Sequence, residues 1–158
     1  MKRIEPSHTT PSAVDPQRLL FLVERKKRLV DDFLEATRTA VEVDIESDDE
    51  KNTANFLRLV EVRESCITEI DAIDRELSGI EPAGAGLSRD DTAALNARLD
   101  TTRQSLLEAA RLSRNLEDSL TLVCRRLQDR GTRSANSLRA FAGRDAAAPP
   151  PRFLDTRS

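Results

Sequence analysis

The sequence predicts an all-α protein: an elongated antiparallel helical bundle or coiled coil of three long helices with a flexible C-terminal segment. Three observations carry that prediction. Leucine, valine and isoleucine recur at three- and four-residue spacing along three stretches, the period of an amphipathic helix. Start signals of the Ser/Asp type and stop signals of the Gly/Pro type bracket those stretches. Finally, 34% of the 158 residues are charged and only 3% are aromatic, with neither Trp nor Tyr. Few large aromatic anchors are therefore available for a compact core, whereas aliphatic seams between helices need none.

A chain of this length fits one domain. Residues 1–15, with Pro6, Pro11, Ser7 and Ser12 and no periodic pattern, read as a disordered N-terminus. Residues 16–143 read as the helical domain, and residues 144–158 as a flexible, proline-rich basic tail.

The first helix is expected to open at Asp15-Pro16. Aspartate caps free amides, and proline at the first helical position forfeits no hydrogen bond. Leu19, Leu22, Leu29, Phe33, Ala36, Ala40 and Val43 then fall on one stripe, interrupted by Lys26, whose stem is expected to lie along the seam with its ammonium in water. The second helix is expected to start at Ser47 in a capping box with Glu50. Its stripe is Phe56, Leu59, Val60, Arg63, Ile67, Ile70, Ile73 and Leu77, with Arg63 the single polar member. Gly79 in the left-handed conformation, followed by Pro82, is expected to end it, and Glu81–Gly86 reads as a flexible loop.

The third helix is expected after Ser88, with Asp90 and Asp91 in its first turn, where the helix dipole favours anions. Two rows recur every seventh residue: Leu99, Leu106, Ser113, Leu120 and Leu127, interleaved with Leu95, Thr102, Ala109, Leu116 and Val123. Such a heptad seam calls for helical partners. The pattern weakens at Gly131 and resumes with Leu138 and Phe141. At 1.5 Å per residue the first two helices span roughly 42–46 Å and the third roughly 63 Å. The seam around Leu116–Leu127 is therefore expected to outrun its cover, and an uncovered apolar stripe marks a partner-binding surface. The residues expected to receive a partner are Leu116, Leu120, Val123, Leu127, Leu138 and Phe141. Periodicity alone leaves both a foreign helix and a homodimer open.

Several function classes are disfavoured. His8 is the only histidine and lies in the N-terminal segment, so no catalytic site is expected. No Glu-x-x-His pair offers a di-metal site. In the acidic run Asp44–Glu50, Asp49 stands where a calcium loop needs glycine, so neither metal nor cofactor is expected. Gly84 and Gly86 lack the strand and lysine of a phosphate loop. The cluster Arg25-Lys26-Lys27-Arg28 has no aromatic interleaving and is flanked by Glu24, Asp31 and Asp32, which reads as a solvated face and not as a nucleic-acid patch. Neither a signal-peptide pattern nor an apolar run of membrane-spanning length is found, so a cytoplasmic protein without membrane insertion is expected. Cys66 and Cys124 sit at helical spacing among apolar residues and are expected as buried, reduced thiols. Net charge is −3 but polarised. Residues 125–158 hold eight arginines against three acids, or +5, leaving −8 for the remainder.

Phe56-Leu57-Arg58-Leu59-Val60-Glu61-Val62-Arg63 with Cys66-Ile67 and Ile70-Asp71, the run Leu106–Leu127, and the ending Arg152-Phe153-Leu154-Asp155-Thr156-Arg157 together resemble the flagellar type III export chaperones of the FlgN/FliT type. The similarity covers roughly residues 17–158 and is one of pattern more than strict motif. It departs from the family's long third helix at Gly131–Ser137. The resemblance implies a cytosolic chaperone that binds helical C-terminal segments of hook-associated (hook–filament junction) subunits, or of the filament cap for the FliT type. Such a chaperone keeps those subunits from assembling early and delivers them to the export apparatus. By the same resemblance, Leu116, Leu120, Val123 and Leu127 would receive the client helix.

Overall fold

The computed structural model describes residues 14–81 and 85–147, with side chains through Ala140. Three helices make up the fold, α1 (Pro16–Glu42), α2 (Glu50–Ser78) and α3 (Arg89–Ala147), and there is no strand among the described residues. The all-α bundle expected from the spacing is the observed fold. The expectations of disorder over residues 1–13, and of a flexible tail beyond Ala147, fall outside the described residues, whereas Asp15, expected in the disordered segment, is placed as the cap of α1.

The chain divides into two compact units, Met1–Leu116 and Glu117–Ser158. In the first, charge pairs give the directions of the helices. Arg18 meets Glu76 at 2.6 Å and Arg25 meets Glu69 at 3.0 Å, so residue numbers rise on α1 as they fall on α2. Glu24 meets Arg98 at 3.3 Å and Arg38 meets Glu108 at 2.7 Å, so numbers rise together on α1 and α3. The hairpin of α1 and α2 is thus antiparallel, and this part of α3 runs parallel to α1. The backbones of α1 and α2 approach one another more closely than either approaches α3. Small residues suit that close contact, and Ala36 and Ala40 are both buried. Larger side chains meet α3: Val30, Phe33, Leu34, Cys66 and Ile70 close on Ala109, with Leu106 and Leu112 alongside. A second cluster joins Leu19, Val23, Ala85 and Leu95, with Leu77, Ile80 and Leu87 packed against it. Phe56 is fully buried.

The caps show where local chemistry decided otherwise than the pattern. Asp15 caps α1, accepting from the Gln17 amide at 3.0 Å, with Pro16 at the first position. α2 starts two residues later than the Ser47 capping box predicts. Asp49 is its cap and accepts from the Lys51 amide at 2.9 Å. Ser47 is diverted because Asp44 accepts from the amides of Glu46 and Ser47 and, through its carbonyl, from the Ser47 hydroxyl. A side chain that completes a turn is not free to cap a helix. The left-handed residue between the helices is Asp48, at φ 51°. Gly79 is right-handed (φ −81°, ψ −3°), and its amide bonds back to Glu76. Among the described residues the left-handed glycine is Gly86, at φ 62°. Ser88 caps α3: its Oγ accepts from the Asp91 amide at 3.0 Å and donates to the Asp91 carboxylate at 2.7 Å.

The second unit, over its described residues, is the run of α3 from Glu117 to Ala147. α3 runs without interruption through Gly131–Ser137, where the pattern weakens, and residues 144–147, expected in the tail, are helical. One interior glycine costs about 1 kcal/mol relative to alanine. That is too little to end a helix whose neighbouring turns propagate on both sides.

Candidate partner-binding face

The two heptad rows of α3 have different fates. Leu95, Thr102, Ala109, Leu116 and Val123 are all buried, Ala109 and Val123 completely. Of the other row, Leu106 and Ser113 are half-buried, whereas Leu99, Leu120 and Leu127 remain 39%, 37% and 43% exposed. This sorts the six residues expected to receive a partner. Leu116 (3% exposed) and Val123 (0%) are spent within the chain and present no surface, which corrects their assignment. Leu120 and Leu127 are half-open, and Leu138 is 71% exposed. Phe141 lies in α3, and its side chain is outside the described residues.

Between the three open leucines the face carries residues that the heptad count passed over. Cys124, Gly131 and Ser134 are exposed and complete the alternating four-three series from Leu120 to Leu138, so one stripe without charge runs along this stretch. The signal was present in the sequence, but only Leu stood out at the seventh positions. The exposed Cys124 corrects the expectation that both cysteines are buried. Cys66 is buried, and burial first, then the charges of Asp32 and Glu69, push its thiol above the ordinary range.

In the first unit the polar features are internal ties. Arg63 is the node between all three helices. Its Nε donates to Thr37 Oγ1 at 2.9 Å, a second guanidinium nitrogen donates to Ser113 Oγ at 2.7 Å, and its carbon lies 5.0 Å from the centre of the Phe33 ring. Both hydroxyls pass their own protons to carbonyls one turn back, Phe33 and Ala109. No carboxylate pairs with Arg63 among the described residues, and burial lowers its affinity for a proton. The basic cluster is likewise engaged: Arg25 with Glu69, Lys26 with Asp74 at 2.6 Å, Lys27 with Asp31 and Arg28 with Glu24. Lys26 thus ends on a carboxylate where the sequence suggested water. A groove of about 540 Å³ lies between α1 and α2, floored by Leu29, Ala36, Leu59 and Cys66 and edged by Asp32, Glu35, Glu69 and Arg58.

Among the described residues no group of three or more His, Cys, Asp or Glu could hold a metal ion, and no helix is long and apolar enough to cross a membrane. No protein-family model, curated protein or solved structure matches the chain. Fold and face together describe a helical bundle with an uncovered apolar stripe on its longest helix.

Proposed function

We propose that this chain is a cytosolic chaperone of flagellar type III export. In this reading it holds an amphipathic helix of a hook-associated subunit, keeps that subunit unassembled and hands it to the export apparatus. The observation that carries the reading is the run of open leucines, Leu120, Leu127 and Leu138, on the part of α3 beyond Leu116. A client helix with apolar residues three and four apart would cover them. The flagellar assignment rests on the resemblance in α2, in α3 and at the C-terminus. From Leu120 to Leu138 the face carries no aromatic residue, which fits a holder that must also release, because the strongest interface anchors are missing there.

The test is co-purification of the tagged full chain from a flagellated bacterium, with the bound subunit identified. Recovery of junction or cap subunits in fixed ratio supports the proposal, and deletion of the gene should then impair filament assembly. A chain that recovers only itself, with motility intact after deletion, overturns it. It would then be a structural dimerisation module.

A further inference from the structure

We infer that the groove between α1 and α2 docks a helix of a partner protein whose apolar stripe is edged with lysine or arginine. The groove lies wholly within the first unit and shares no residue with the leucines of α3 proposed for the client. Its form and its charge each narrow the choice of occupant.

The form selects a helix. Leu29, Ala36, Leu59 and Cys66 make the floor, and Val62 beside them is 38% exposed. From Leu29 to Thr39 the groove follows α1 for about 15 Å, or roughly three turns. Both walls are the middles of helices, whose amides and carbonyls are paired within the helix itself. They offer an extended peptide no ladder, and its backbone groups would be covered without partners. A helix arrives with those bonds made and needs only apolar side chains three and four apart to fill the groove.

The charge selects basic flanks. Three carboxylates, Asp32, Glu35 and Glu69, line the groove against one guanidinium, Arg58. Glu69 is held by Arg25 at 3.0 Å from the Leu29 end, and the antiparallel course of the helices puts Arg58 at the Thr39 end. Glu35 has only Arg38, at 3.9 Å, and Arg38 lies closer to Glu108, at 2.7 Å. Asp32 is in no ion pair among the described residues, since Arg28, one turn before it, meets Glu24. The α1 wall therefore carries two carboxylates and no cation. Their field reaches the floor, where the charges of Asp32 and Glu69 add to burial in raising the Cys66 thiol. Lysine or arginine beside the occupant's stripe is drawn to that wall, and glutamate or aspartate is repelled. A second copy offering the same face would bring a further excess of carboxylate, so charge disfavours self-pairing.

The probe is a fluorescein-labelled amphipathic peptide of three heptads, with leucine at the core positions and lysine at the flanking ones. A twin peptide carries glutamate instead. Titrated against the full chain at low salt and followed by anisotropy, the lysine peptide should bind at least tenfold more tightly than its twin. The difference should shrink as salt is raised. Asp32→Lys with Glu35→Lys should abolish the preference. Val62→Asp should weaken the lysine peptide at least tenfold while the far-ultraviolet dichroism of the chain is unchanged. That variant adds a negative charge, so an attraction of charge alone would grow where docking in the groove is lost. Leu120→Asp should change nothing in this assay.

Equal binding of the two peptides, binding of neither, or a Val62→Asp chain that binds as before each overturns the inference. So does loss of binding in Leu120→Asp, which would put the peptide on α3. Micromolar self-association that Val62→Asp abolishes overturns it too, since the groove would then belong to a second copy.

Discussion

Replacing Arg63 with alanine should cost about 3 kcal/mol of folding stability, and the geometry fixes how that figure divides. Two hydrogen bonds to a cationic donor are lost, at 2.9 Å to Thr37 and 2.7 Å to Ser113. Each is worth about 1–1.5 kcal/mol, at or below the low end for charged donors because the guanidinium is only partly buried. The contact with Phe33 at 5.0 Å adds about 0.5–1 kcal/mol. Against these losses stands relief from desolvating a cation whose burial the charge of Glu64 offsets only in part. The hydroxyls keep their bonds to Phe33 and Ala109, so the variant strands acceptors and not donors. Arg63→Leu, which retains apolar bulk, should cost only about 1–2 kcal/mol. Adding Thr37→Val and Ser113→Ala to it should cost less than the sum of the separate changes. Urea unfolding followed by dichroism at the helical band measures all of these, since the chain has neither Trp nor Tyr. A loss below about 1 kcal/mol for Arg63→Ala, or full additivity in the combined variant, would show that Arg63 does not join the three helices.

Other perturbations separate core, cap and surface. Phe56→Ala, at a fully buried site, should lose about 3–5 kcal/mol in the same unfolding assay. A loss under 1 kcal/mol would mean that the site is open to water. Asp49→Ala should cost about 1 kcal/mol. Ser47→Ala should cost clearly less, and the reverse order would restore Ser47 as the cap of α2. Leu120→Asp should leave helicity largely intact and abolish client binding, whereas Val123→Asp should destabilise the fold. Equal behaviour of the two would show that the heptad rows are not distinct. A thiol reagent at pH 8 should modify one cysteine of the native chain, Cys124, and both only after unfolding. Burial both shields Cys66 and keeps it protonated at that pH.

What the sequence made legible was whatever depends on period. Three helices, the start of α1 at Asp15-Pro16 and the row from Leu95 to Val123 all follow from spacing, because an amphipathic helix must turn one stripe inward. What it concealed depends on competition between local hydrogen bonds. Ser47 and Asp49 are both good caps, and Asp44, by claiming Ser47, decides between them. Gly79 and Gly86 both tolerate a left-handed backbone, and spacing does not say that Gly86 adopts it and Gly79 does not. Arg63 was conspicuous as the one polar residue on an apolar stripe. That its partners would be two hydroxyls on two other helices could not be read, since spacing says which face a residue occupies and not what waits opposite. The candidate face was half legible for the same reason. A heptad marks two rows, and spacing does not say which of them is buried.

The leucines left over set the strength of any complex. Full burial of a leucine is worth about 1.5–3 kcal/mol, so covering the remaining exposed parts of Leu120, Leu127 and Leu138 yields about 3 kcal/mol in all. Loss of translational and rotational freedom on association costs about 4–15 kcal/mol. The stripe therefore cannot hold a helix by its own apolar surface. The balance has to come from the apolar side chains that the client itself buries on the stripe. A stripe this weak favours only helices that complement its shape. It also releases them once that fit is withdrawn, so discrimination and reversibility have the same physical origin here.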